Sequence, residues 1–221
     1  VDVCRHFTKL KCGLMPYLYG LAAEAARTGL TAMRAMALEC DEPGAVTCDR
    51  QYMLGDGLLV APVLREDGSV DVYVPRGLWT NFFTGERVNG EGWRRETRDF
   101  FSLPLYVREN TVIPLGGTNT AAVYDYEKDL TLAVYALRDG ATAAREIVDN
   151  AGATAFTVNA SRKGSEIEVR FSAMPHGARI VFVGETGIRA VDGAAAVPDD
   201  RGAAFSVEGV LIRLTLSGDA A

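Results

Sequence analysis

The stretch Leu58-Leu-Val-Ala-Pro-Val63, followed by Val70-Asp-Val-Tyr-Val74, begins a long β-type part of the chain. Both runs are short and rich in β-branched residues, and Gly and Asp lie between them, which is typical of strands joined by turns. Thr84-Gly85-Glu86 predicts a hairpin turn. Three similar runs follow, at residues 78–83, 103–107 and 111–115. Turn residues at this spacing favour an antiparallel β-sandwich.

A glycine-rich stretch, Gly116-Gly117-Thr118-Asn119-Thr120, separates this series from a second one. The second series consists of apolar runs at residues 130–136, 145–148, 166–171, 179–183 and 210–216. Turn sequences interrupt it at residues 138–140, 149–152 and 163–164. The sequence therefore predicts two consecutive antiparallel β domains.

The first 56 residues follow a different pattern. Apolar residues at helical spacing predict a helix over 3–27, which Pro16 should kink near Cys12 because proline removes an N–H donor. Residues 31–39 predict a buried strand of the parallel-sheet type, and residues 49–54 a short helix. Helix, strand and helix form only part of an α/β domain. We expect the chain to be a fragment or a processed piece, because it opens on Val1 without Met or a signal peptide.

Charge and hydropathy exclude two classes of partner. The 221 residues contain 23 Lys and Arg against 29 Asp and Glu, a net charge of −6, which disfavours nucleic acid because phosphate binding needs a basic surface. No stretch approaches the roughly 18 to 20 consecutive apolar residues of a membrane span. We therefore expect no nucleic-acid and no membrane partner.

The cysteines predict neither a metal site nor an oxidising compartment. Seven residues separate Cys4 from Cys12 and Cys40 from Cys48, which is more than a zinc-binding pair of cysteines usually has between its members. Four unpaired thiols are therefore expected, with a Cys40–Cys48 disulfide as the less favoured alternative. A cytoplasmic location is favoured, although the sequence does not determine it. The four residues are Cys4, Cys12, Cys40 and Cys48.

Glu39, Asp41 and Glu42 are the best candidates for catalytic carboxylates. They follow the predicted parallel-type strand, where barrel enzymes place catalytic groups, and glycoside hydrolysis uses a pair of carboxylates. However, Asp41-Glu-Pro-Gly44 is also a good turn sequence. We favour the simple turn over a contact at the rim of an active site or a catalytic role.

Other residues invite functional hypotheses that are weaker than their structural alternatives. Exposed aromatic side chains can stack on sugar rings, but at strand spacing core packing is favoured. His6 and His176 are expected to be packing or surface residues, and calcium binding at the turn 149–152 is disfavoured. No nucleotide-binding motif is present, so no cofactor is expected. The aromatic residues in question are Trp79, Phe82, Phe83, Trp93, Phe100 and Phe101.

Several motifs resemble those of the family 31 glycoside hydrolases, densely from Val3 to about Gly117. The segments Lys9-Leu-Lys-Cys12 and Asp49–Asp56 are most similar to the bacterial α-xylosidases of that family. The motifs that carry the resemblance are Phe7-Thr-Lys-Leu-Lys-Cys-Gly-Leu-Met-Pro-Tyr-Leu-Tyr19, Met33-Arg-Ala-Met-Ala-Leu-Glu39, the turn Asp41–Pro43, Asp49-Arg-Gln-Tyr-Met-Leu-Gly-Asp56, Leu58–Val63, Val72-Tyr-Val-Pro-Arg-Gly-Leu-Trp79, Phe83-Thr-Gly-Glu86 and Leu103-Pro-Leu-Tyr-Val-Arg-Glu-Asn-Thr111.

The resemblance implies a three-part organisation and a mainly β fold. Residues 1–56 would be the last helix–strand–helix of a catalytic (β/α)8 barrel, residues 57–117 a proximal and residues 118–221 a distal antiparallel β-sandwich domain. In the family, the two catalytic aspartates and the sugar-binding His and Arg lie upstream of these elements. The resemblance therefore implies no catalytic, substrate-binding or metal-binding residue in this chain.

The function implied is that of the C-terminal portion of a retaining α-xylosidase-like glycoside hydrolase, whose substrate is α-linked xylose in oligosaccharides. The chain would close and brace the barrel, with the missing upstream part of the barrel as its partner and self-association as a further expectation. An α-glucosidase of the same family is one alternative. A non-catalytic carbohydrate-binding or interaction module is the other.

Overall fold

A computed structural model describes residues 1–216 of the chain, which form two compact units. Unit 1 comprises residues 1–8 and 24–109, and unit 2 comprises residues 9–23 and the chain from residue 110 onward. The prediction of a mainly β fold is confirmed, since sixteen strands accompany four helices in the described residues.

The predicted N-terminal helix is present but divided in two. Helix α1 spans Asp2–Gly13 and helix α2 spans Met15–Thr28, so the break at Leu14 lies close to Pro16, as expected. Because Pro16 has no N–H, the carbonyl of Cys12 lacks its helical donor. The hydroxyl of Tyr124 donates to that carbonyl instead, at 2.7 Å.

Residues 31–39 do not form the buried parallel strand that was predicted. Only Met33–Ala35 form a strand, β1, which pairs antiparallel at the edge of a sheet, and the next residues form the one-turn helix α3, Met36–Glu39. Met33 is 61% exposed, whereas Arg34 is buried. The apolar composition of residues 31–39 suggested a strand buried on both faces. Instead, β1 has one exposed face, and the residues of α3 have high helix propensity.

The prediction of a short helix over residues 49–54 was also wrong. After helix α4, Pro43–Val46, the chain forms strand β2, Tyr52–Leu54, paired antiparallel with strand β3, Leu58–Val60. Gly55, with a φ of 64°, lies in the connecting turn. Glycine adopts this left-handed conformation without strain, and the tight turn therefore places both apolar triplets in one sheet.

Unit 1 contains a six-stranded antiparallel sheet in the order β1-β2-β3-β6-β4-β5. The run predicted at 70–74 and the first four residues of the run predicted at 78–83 belong to one long strand, with a shift of register after Val74. Residues 82–83 lie in the connection to β5, together with the turn predicted at residues 84–86. The sequence did not predict β5, because most of its residues are polar and exposed. The remaining strands of this sheet are β4 (Ser69–Asn81), β5 (Arg87–Thr97) and β6 (Leu105–Arg108).

Unit 2 contains two five-stranded sheets, in the orders β13-β16-β11-β10-β9 and β14-β15-β12-β8-β7. One hydrophobic core takes side chains from both sheets, which makes this unit a β-sandwich. All pairs are antiparallel except β8 with β12. The strands are β7 (Thr111–Leu115), β8 (Thr131–Tyr135), β9 (Thr142–Val148), β10 (Thr154–Lys163), β11 (Glu166–Phe171), β12 (Arg179–Val183), β13 (Ile188–Asp192), β14 (Ala194–Val197), β15 (Gly202–Val207) and β16 (Leu211–Leu216).

Candidate functional site

Glu39, at the end of α3, lies between two arginines of unit 1. Its Oε1 accepts from Arg34 at 2.7 Å and its Oε2 lies 3.5 Å from Arg108. The Arg34 side chain is only 4% exposed and also pairs with Glu24 at 3.0 Å. Since a buried guanidinium needs a compensating negative charge, the role of Glu39 is to neutralise Arg34.

Arg108 extends this network to an aromatic ring and a thiol. Its guanidinium carbon lies 5.4 Å from the centre of the Trp79 ring, a cation–π distance, and its Nη2 lies 3.8 Å from Cys40 Sγ. Burial raises the pKa of the Cys40 thiol despite this neighbour. The thiol is therefore kept protonated, and a protonated thiol is a poor nucleophile.

Glu42 has a different set of partners. Its carboxylate accepts from the Tyr73 hydroxyl at 2.6 Å and from the backbone N–H of Arg76 at 2.8 Å. The hydrogen bond to Glu42 raises the pKa of Tyr73 to about 12. The Tyr73 ring also packs against Gly44 so closely that a Cβ there would lie 2.2 Å from the ring. Glu42 and Gly44 thus join the acidic turn to strand β4.

The three candidate carboxylates therefore do not converge on a common point. Glu39 faces arginines and Glu42 faces Tyr73 and the backbone of β4, while Asp41 is exposed. Glycoside hydrolysis requires two carboxyl groups that flank one scissile bond. Two members of this group have structural partners, and the predicted turn Asp41–Gly44 leads into helix α4, which begins at Pro43.

The aromatic candidates divide into buried and exposed side chains. Trp79 is 1% exposed, and its indole N–H donates to the Pro75 carbonyl at 2.8 Å. Phe82 and Phe83 are half-buried, with ring centres 5.8 Å apart. The exposed members are Trp93 at 58%, Phe100 at 81% and Phe101 at 46%.

Neither histidine lies in a catalytic arrangement. His6 is surrounded by the rings of Phe7, Phe83 and Phe101, with centre-to-centre distances of 5.1 to 6.4 Å, and its Nε2 is buried without a hydrogen-bond partner. His176 is exposed in a turn. Both positions agree with the favoured packing and surface interpretations.

Asp149 has a structural role at the turn 149–152. Its Oδ1 accepts from the backbone N–H groups of Ala151 and Ala153, each at 2.9 Å. These two bonds stabilise the turn. Across residues 1–216, no group of three or more His, Cys, Asp or Glu side chains is placed to hold a metal, and no helix is long and apolar enough to cross a membrane.

Tyrosines attach the segment 9–23 to the rest of unit 2. Besides the bond from Tyr124 to Cys12, the hydroxyl of Tyr19 donates to the Asn150 carbonyl at 2.9 Å. The Tyr126 ring lies 5.0 Å from that of Tyr19 and 5.1 Å from that of Tyr124. A helical segment is therefore fixed to a β-sandwich through hydrogen bonds and ring packing.

Comparison with known families agrees with this arrangement of elements. Residues 29–113 match the domain described as "Glycosyl hydrolase family 31 C-terminal domain", and residues 125–216 match "Alpha-xylosidase YicI, C-terminal domain". The chain belongs to glycoside hydrolase family 31. Its similarity to bacterial α-xylosidases, which the sequence motifs indicated, is confirmed by the second match.

Individual family 31 relatives support the assignment. The chain is 34% identical over 197 residues to "Alpha-xylosidase XylQ" of Lactiplantibacillus pentosus, covering 85% of the chain and 26% of that protein. It is 35% identical over 114 residues to an α-glucosidase of Saccharolobus solfataricus, covering 51% of the chain and 16% of that protein. The chain thus spans about a quarter or less of the length of these relatives.

Solved family 31 structures share the fold. A dextranase from Flavobacterium johnsoniae superimposes with a TM-score of 0.75 at 21% identity, over 95% of this chain and 32% of that one. An α-xylosidase from Xanthomonas citri gives a TM-score of 0.68 at 23% identity, over 96% of this chain and 24% of that one.

Proposed function

We propose that this chain is the C-terminal portion of a retaining α-xylosidase-like hydrolase that removes α-linked xylose from oligosaccharides. The observation that carries the proposal is the match of residues 125–216 to the C-terminal domain of an α-xylosidase. The similarity to the Lactiplantibacillus α-xylosidase over 85% of the chain supports it. The parent enzyme would act by double displacement through a covalent glycosyl–aspartate intermediate.

An α-glucosidase remains the second candidate for the parent enzyme. The 35% identity to the Saccharolobus α-glucosidase favours it, but that similarity covers only half of the chain. The kcat/KM of the complete parent protein, measured for an aryl α-xyloside and for an aryl α-glucoside, decides between the two candidates. A higher kcat/KM for the glucoside would overturn the xylosidase proposal.

The role of the chain itself would be to close the catalytic barrel and brace it. We propose that residues 1–56 are the last barrel elements, followed by proximal (57–117) and distal (118–221) β domains, with the upstream barrel as partner. The bonds from Tyr124 to Cys12 and from Tyr19 to Asn150 support this role, because they fix a predicted barrel helix to a β-sandwich. Tyr124→Phe combined with Tyr19→Phe should then lower the thermal stability of the parent enzyme's activity.

We further propose that the chain alone is catalytically inactive and has no catalytic, substrate-binding or metal-binding residue of the parent active site. The structural engagement of Glu39 and Glu42 supports this proposal. The test is an assay of the pure chain against both aryl glycosides, with Glu39→Gln and Asp41→Asn as variants. Turnover above background that disappears in either variant would make this turn an active site.

A further inference from the structure

An open cavity of about 500 Å³ lies in unit 1 beside the β4–β5 hairpin. Residues 48–51 line one part of it, and side chains of the hairpin line the remainder. The volume falls within the range of about 300 to 1,000 Å³ that is typical of small-molecule sites. None of the candidate carboxylates of the acidic turn lines this cavity.

An exposed aromatic ring lies in this cavity on a rigid support. Trp93 is 58% exposed and lies directly across the ladder from Tyr73, with the two rings edge-to-face at 5.5 Å. Tyr73 is itself 8% exposed and bonded to Glu42. A ring that is already ordered before a ligand arrives loses little conformational freedom on binding.

The neighbouring cross-strand pair on the same face supplies fixed polar groups. Asp71 lies opposite Arg95 and accepts from its Nε at 2.7 Å and from its Nη2 at 3.1 Å. The hydrogen bond from Arg95 lowers the pKa of Asp71, so the carboxylate stays ionised near neutral pH. Acceptor oxygens and N–H donors therefore lie side by side, and sugar hydroxyl groups can use both.

The segment 48–51 is fixed at the edge of β4 by Gln51. Its Nε2 donates to the Tyr73 carbonyl at 2.8 Å and its Oε1 accepts from the Tyr73 N–H at 2.7 Å. The Gln51 side chain thus occupies the position that a neighbouring strand's peptide would take. Gln51 is buried at 6% exposure, so this wall of the cavity is attached to the same strand that supports the aromatic ring.

The exposed ring, and not the charge, selects the ligand of this cavity. Arg95 pairs with Asp71 and Arg94 with Glu96, but Asp71 also pairs with Arg65 and Glu96 with Arg98, so the arginines are only partly compensated. A phosphate has no apolar face to stack on Trp93, whereas a pyranose ring has one. The centres of protein–protein interfaces are depleted in charged residues, whereas this cavity contains several. We propose that it binds one pyranose ring of a neutral oligosaccharide, stacked on Trp93 with its hydroxyl groups bonded to Asp71 and Arg95.

This site would be non-catalytic, and it goes beyond the proposed function because binding there needs no bond cleavage. The test uses the complete chain, titrated with isoprimeverose, with maltotriose and with inorganic phosphate while the two indole N–H signals are followed by NMR. Trp93 should shift saturably with at least one sugar, whereas buried Trp79 should stay unshifted and reports on the fold. Phosphate should leave the Trp93 signal unchanged.

Variants separate stacking from nonspecific effects, with calorimetry as the readout. Trp93→Ala should weaken sugar binding by at least about tenfold, Trp93→Tyr should retain it, and Asp71→Asn should weaken it. Phe100→Ala removes an exposed ring outside the cavity and should change nothing. The proposal is overturned if neither sugar binds saturably, if phosphate alone binds, or if the sugars bind equally well to the Trp93→Ala and Asp71→Asn variants.

Discussion

The hydroxyl of Tyr124 donates a 2.7 Å hydrogen bond to the backbone carbonyl of Cys12. This carbonyl has no helical donor, because the residue four positions later is Pro16. A side chain more than a hundred residues away along the chain thus compensates for a local defect in the helix. Burial raises the pKa of the Tyr124 hydroxyl to about 12, so it remains a donor throughout the physiological pH range.

The first prediction concerns this pair. Tyr124→Phe should lower the free energy of unfolding by about 1.5 kcal/mol, because the Cys12 carbonyl loses the hydroxyl donor that replaces the missing N–H of Pro16. In a Pro16→Ala background the same substitution should cost less than about 0.5 kcal/mol, since an N–H at position 16 can donate instead. Urea denaturation of the four proteins measures this coupling. Equal costs in both backgrounds would show that the two residues act independently.

The second prediction concerns the arginine network. Glu39→Ala should destabilise the chain by about 3 kcal/mol, because it removes a hydrogen-bonded carboxylate from a buried guanidinium. Asp41→Ala, two residues away and exposed, is the matched control and should change stability by less than about 0.5 kcal/mol. Chemical denaturation measures both. Equal effects would mean that Glu39 does not neutralise Arg34.

The third prediction compares two leucines next to the helix break. Leu14 is 6% exposed, whereas Leu18 is only half-buried. Leu14→Ala should therefore cost about 2 to 5 kcal/mol in free energy of unfolding, and Leu18→Ala clearly less. A cost below about half a kcal/mol at Leu14 would exclude a core position.

The fourth prediction concerns the exposed part of the segment between β7 and β8. Residues 119–123 are exposed, and β7 pairs with β8 along its whole length, Thr111–Leu115. Limited proteolysis should therefore cut at 119–123 while the two fragments remain associated through this ladder and co-elute in gel filtration. Fragments that separate under native conditions would contradict the prediction.

Much of the fold could be predicted from sequence because its signals are local. Apolar spacing located the N-terminal helices, and β-branched runs bounded by Gly and Asp located strands such as β3, β8 and β12. The long polar strand β5 was missed, because only Val88 and Glu96 among its residues are buried. The helix prediction for residues 49–54 was wrong because Tyr52–Leu54 form a strand only through the turn that pairs them with β3. Their own periodicity does not indicate this pairing.

The candidate site was less accessible to sequence analysis. The acidic turn was identified, but its partners Arg34, Tyr73 and Arg108 come from separate strands, and no local pattern indicates that they meet. Gln51 is a clearer case, because one glutamine in a polar segment gives no sign that it completes the edge of a sheet. Such contacts depend on tertiary structure, which also explains why Trp93 could not be distinguished from a core aromatic residue.

The last prediction concerns the acid stability of unit 2. The side-chain hydrogen bond from Arg201, at 2.8 Å, lowers the pKa of Asp199 to about 2, against about 4 in an unfolded chain. Because the folded state has the lower pKa, this pair stabilises the protein above about pH 4, and the contribution disappears as the pH falls towards 2.

Asp199→Asn should therefore lower the free energy of unfolding at pH 6 by about 1 kcal/mol, a value kept small because Arg201 is a third exposed and solvent screens the pair. The difference from the unmodified chain should shrink as the pH falls from 4 to 2, as followed by urea denaturation at each pH. Asp49→Asn, at an exposed carboxylate, is the control and should show no comparable trend. A difference for Asp199→Asn that is the same at pH 6 and pH 2 would mean that the asparagine acts through packing, since only an ionised carboxylate can lose its stabilising effect by protonation.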